Sequence, residues 1–152
     1  MLLERAAAPT NTDAHRDLLV EPPWHAQLGE TFRKLYAEVY LTLNTGAVAL
    51  PAMGLRAILD LALNDVLGDV GGFAEKLKRL VSGAIVTERR RQVIADVLEV
   101  GHAAMHRGYV PSAERVHEVL TIVEHVVHEL LIAEGVATRI RSETPPRESS
   151  RK

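Results

Sequence analysis

The stretch LRAILDLALNDVL, residues 55 to 67, is apolar on nearly every side once it is wound into a helix. At about 100° per residue, Leu55, Ile58, Leu59, Leu61, Ala62, Leu63, Val66 and Leu67 take up most of the circumference. A helix with no solvent face belongs in the middle of a bundle. The remaining segments must then wrap it with helices of their own. Its one polar line runs at four-residue spacing through Arg56, Asp60 and Asn64. An Arg and an Asp at i, i+4 can pair. They form either a structural ion pair that fixes helix register or a ligand-facing guanidinium oriented by its carboxylate.

The wrapping helices are legible on both sides. Residues 27–45 carry Leu28, Phe32, Leu35, Val39 and Leu43 at helical spacing and stop at NTG. The central helix runs over about 47–67, with Pro51 in its first turns, and GDVGG breaks it. FAEKLKRLV is a short third helix ended by SGA, and Thr87 caps a fourth that continues to about Arg107. A fifth opens at Pro111 or Ser112 and is expected to stop at Gly135. Nothing alternates as a strand does. Short connections make neighbouring helices antiparallel. The fold class is therefore all-α, a four- to five-helix antiparallel bundle. Residues 25–137 read as its single domain, 1–24 as a flexible N-terminal arm with Trp24 at its end, and 138–152 as a disordered polar tail.

Composition removes several kinds of chemistry. With no cysteine, disulfides, thiolate nucleophiles and Cys-ligated zinc are out. A formal net charge of -2 gives no global field for nucleic acid, and 4% aromatic residues leave few rings for stacking on bases. The N-terminus makes a poor signal peptide, and GAVALPAMGL is too short for a membrane span, so a cytoplasmic protein without membrane attachment is expected. No G-x-S-x-G elbow or phosphate-cradling loop is present, and Ser82 and Ser112 read as helix-end residues. Lys76, Lys78, Arg79, Arg89, Arg90 and Arg91 read as solvated helix faces or as a modest phosphate-binding patch.

The stretch ADVLEVGHAAMHRGYVPS holds the candidate site. In the fourth helix the expected core stripe is Val93, Ile94, Val97, Val100, Gly101, Ala104 and Met105. Ala95, Glu99, His102, Ala103 and His106 fall on the other side, so the two histidines are expected off the core, with Arg107 directly after them. His102 and His106 have a spacing that metals accept, but two ligands make an incomplete site and no H-E-x-x-H is formed. The Glu-x-x-His pairs Glu99/His102 and Glu114/His117 invite a di-metal cage, but Glu114 faces away from its helix's apolar stripe. No metal and no cofactor is expected.

Across about residues 32–131 the sequence resembles the domain of unknown function 4145 family, a branch similar to the HEPN helical bundles. The resemblance is carried by LRAILD with Arg56 and Asp60, by the short helix followed by SGAIV, and by GHAAMHRGYVPS. The last matches a Gly-x-Ala-x-x-His-Arg-Gly pattern. The resemblance implies a four- or five-helix, commonly dimeric bundle, often associated with restriction or other defence systems. It also implies, for many HEPN relatives, a metal-independent ribonuclease with an Arg, four to six intervening residues and then a His. Here His106 fits that His, whereas Leu98 stands where many members carry Arg and His102 where they often carry Asn.

The sequence thus points to a non-enzymatic, homodimeric helical module that binds a protein partner or a nucleotide or RNA ligand. Its polar cluster is Arg56, Asp60, His102 and His106. The alternative is a HEPN-type ribonuclease with His106 as general acid/base, assisted by His102 and by Arg107 or Arg56.

Overall fold

The computed structural model describes residues 17–147. A short 3-10 turn, Pro23–Gln27, leads into α1 (Glu30–Asn44), α2 (Ala49–Leu67), α3 (Phe73–Ser82), α4 (Glu88–His106) and α5 (Ala113–His128). A π turn, Glu129–Ala133, joins α5 to α6 (Glu134–Glu143) without a break. No strand occurs among the described residues.

The helix that is apolar all round takes the centre. α2 packs against α1, α3, α4 and α5, and its Leu55, Ile58, Leu59, Ala62 and Leu63 are fully buried. Around it lie Tyr36 and Val39 from α1, Leu80 from α3, Ile94 from α4, and Val116, Val123 and Val127 from α5. Caps define two of the starts. Thr87 Oγ1 accepts the Arg90 N–H at 3.2 Å, and Ser112 Oγ accepts the Arg115 N–H at 3.1 Å. Gly46, at φ +87°, ends α1 in the left-handed conformation that glycine adopts at little cost.

Three boundaries differ from the sequence reading. Of the expected arm 1–24, residues 1–16 lie outside the described residues, and the rest is docked. The Leu19 backbone exchanges two 2.9 Å hydrogen bonds with the Asn44 amide, and Trp24 packs edge-on to Tyr36 and His128. Gly135 does not stop the last helix, because it keeps a φ that is not positive, and α6 carries helix to Glu143. The polar tail expected from 138 is therefore helical over its first six residues. Along α4 the core takes Leu98, only 4% exposed, and Ala103, whereas Met105 is 45% exposed. Burial in the last turn of α4 stops at Ala103 and Ala104, so a stripe extrapolated to Met105 overshoots the core.

Candidate functional site

Arg56 lies where α2 and α4 cross. The crossing is close because residue 101 is glycine: a Cβ there would stand 2.5 Å from Arg56 Cβ and 2.9 Å from the Ala52 carbonyl oxygen. The side chain of Arg56 passes over that gap and places its guanidinium 4.5 Å from the centroid of the Phe73 ring on α3. Such a contact attracts through the ring quadrupole. Arg56 Nε is buried and has no hydrogen-bond partner among the described residues.

The expected Arg56–Asp60 pair does not form. Asp60 instead receives Lys76 Nζ of α3 at 2.7 Å. Lys76 is only 5% exposed, and a buried ammonium needs a counter-charge far more than a half-exposed guanidinium does. Phe73 meanwhile holds Arg56 away from the carboxylate, and Lys76 also approaches the same ring, 5.5 Å from its centroid.

On α4, one turn separates His102 from His106, and their rings sit 4.7 Å apart at 47°. His102 is half-buried, whereas His106 and Arg107 are exposed. Neither histidine ring has a hydrogen-bond partner among the described residues. Arg107 bonds to Glu99, two turns back. That hydrogen bond holds the Glu99 carboxyl below the usual carboxylate range. Partial desolvation opposes the shift, and the charges of Arg107, His102 and Arg56 reinforce it. Arg56, Glu99, His102 and Arg107 therefore share one electrostatic neighbourhood. An open depression of about 320 Å³ beside it is lined by Glu99, Val100, Ala103, Arg107 and Tyr109. Arg56 and His102 lie outside that lining.

The nearby carboxylates are engaged, Asp60 by Lys76 and Glu99 by Arg107, which leaves Arg56 without an ion-pair partner among the described residues. Leu98 sits in the core and supplies no donor. No group of three or more His, Asp or Glu among the described residues is placed to hold a metal ion.

A second polar cluster escaped the sequence reading. His25 is 3% exposed and stacks on Tyr36, with ring centroids 4.0 Å apart. Its Nδ1 meets Glu21 at 2.9 Å, and its Nε2 lies 3.3 Å from Glu124 without hydrogen-bond geometry. Tyr40 donates its hydroxyl proton to the same Glu124. Burial pushes the Tyr36 and Tyr40 hydroxyls well above the ordinary tyrosine range; Glu124 adds to both, by its charge at Tyr36 and chiefly by hydrogen bonding at Tyr40. The signal was present as a lone glutamate within the valine-rich run of α5.

Fold and polar face together define an all-α bundle protein built around one buried helix. The family described as Domain of unknown function (DUF4145) matches residues 37–143, and the chain belongs to it. No curated protein and no solved structure shows a match. No helix among the described residues is long and apolar enough to cross a membrane.

Proposed function

We propose that this protein is a non-enzymatic, self-associating binding module whose α2–α4 face takes a phosphate-bearing, nucleotide-like ligand. The observation that carries the reading is the state of Arg56. Its guanidinium lies over the Phe73 ring, its Nε is buried without a partner, and it forms no ion pair with a carboxylate among the described residues. Phosphate oxygens satisfy such a planar fork of donors well. His102, next to Gly101 at the crossing, and His106 one turn further on carry uncommitted ring nitrogens.

The test is fluorescence polarisation with a labelled nucleotide and a labelled oligoribonucleotide, comparing the protein with Arg56→Met. Losing a charge-assisted contact worth about 1.5–3 kcal/mol weakens binding roughly 10- to 100-fold. Equal affinity in the two proteins, or no binding by either, sinks the reading.

The ribonuclease alternative draws on the exposure of His106 beside His102. Its signature is RNA cleavage that survives chelator and disappears in His106→Ala. That outcome would replace the binding module with an enzyme.

A further inference from the structure

α6 is a helix without a bundle. Val136 is half-buried against the edge of the core and every other residue of α6 is exposed, with no extensive contact between α6 and another helix of the bundle. α6 is held as the end of the continuous α5–α6 rod. Its apolar positions nevertheless form a line. Ile132, Val136 and Ile140 recur every four residues and continue the stripe of Val123 and Val127. Ile132 is buried, Val136 half-buried and Ile140 59% exposed. The apolar stripe outruns the core it serves.

A matching depression lies between α4 and α5. An open groove of about 590 Å³ is lined by Val93, Val97, Val100, Val119 and Ile122, together with Asp96, Thr121 and the mutually paired Arg115 and Glu118. On its wall, Asp96 accepts the Gln92 amide and has no ion pair among the described residues. α6 carries Arg139 and Arg141 on either side of Ile140. Arg90 of α4 pairs with Glu129 at 3.0 Å, so α6 leaves the bundle at the Val93 end of the groove. The continuous α5–α6 rod cannot fold back into the groove that its own α5 borders. A twofold-related copy can present its α6 there, and the exchange is then reciprocal.

We infer that α6 docks into the α4–α5 groove of a second copy of this chain, with Val136 and Ile140 on the valine floor and Arg139 facing Asp96. The inference rests on the self-association part of the reading above and is independent of the anion face.

Sedimentation velocity of the full chain tests it. The protein is expected to sediment as a dimer at micromolar concentration, and Ile140→Asp to weaken the dimer at least tenfold while its bundle unfolds at the same temperature. Because the chain has no cysteine, a mixed sample of Val97→Cys and Ile140→Cys chains gives a second readout. Mild oxidation is expected to join the two kinds of chain covalently. A wild-type monomer would overturn both this inference and the self-association. A dimer indifferent to Ile140→Asp, or no mixed disulfide, would overturn the docking alone. Nucleotide binding at Arg56 is expected to persist in Ile140→Asp throughout.

Discussion

At Gly101 a single hydrogen atom occupies the space where a methyl group would meet backbone. The Ala52 carbonyl is fixed within α2, so Gly101→Ala must push α4 outward or tilt it. Overpacking of this kind costs about 1–3 kcal/mol, and here it also displaces Arg56. The expected outcome is a lower midpoint in urea together with weaker nucleotide binding. Unchanged stability would show that the crossing yields freely. Sequence spacing singled out Arg56 and Asp60 but paired them with each other, because i, i+4 is the only relation visible along one helix. Their actual neighbours, Phe73 and Lys76, come from α3, beyond the GDVGG break. His25 was lost for the same reason. Its partners Glu124 and Tyr36 belong to α5 and α1, and nothing local marks an arm residue as buried.

The start signals of the helices were written locally, and they held. Thr87 and Ser112 cap α4 and α5, and Thr87→Ala is expected to cost about 1 kcal/mol in chemical denaturation. No loss at all would mean that solvent replaces the cap. End signals were less reliable. Gly46 closes α1 by adopting positive φ, Ala84 takes that role after α3, and composition cannot report φ at Gly135. The last turn of α4 shows a similar limit. Periodicity marks a face, but the length of the core beneath that face is set by neighbouring helices, so Met105 emerged into solvent.

Across the whole molecule the fold was legible because the central helix left one arrangement open, a bundle wound round it. Stability of that bundle is expected to depend on alkaline pH through Tyr36 and Tyr40. Both hydroxyls are held protonated in the folded chain, whereas an unfolded tyrosine ionises near about pH 10. Above that pH the folded state binds more protons than the unfolded one, so stability is complete below about pH 10 and falls as pH rises further. Absorbance at the phenolate band is expected to show Tyr36 and Tyr40 ionising only on unfolding. Ionisation of either hydroxyl in a chain that is still folded would contradict this. The π turn has a consequence for how this architecture can vary. It fits a five-residue step, Val127 to Ile132, into a line otherwise advancing by threes and fours. Excising one residue between 129 and 133 would close the rod into an unbroken α-helix with a four-residue step there, so the terminal helix would keep its azimuth and retreat by about 1.5 Å. Removing a residue elsewhere in the rod, where no wide turn absorbs the change, would rotate everything downstream by about 100°. The π turn is the one place where this rod can lose a residue and still present the same side at its protruding end.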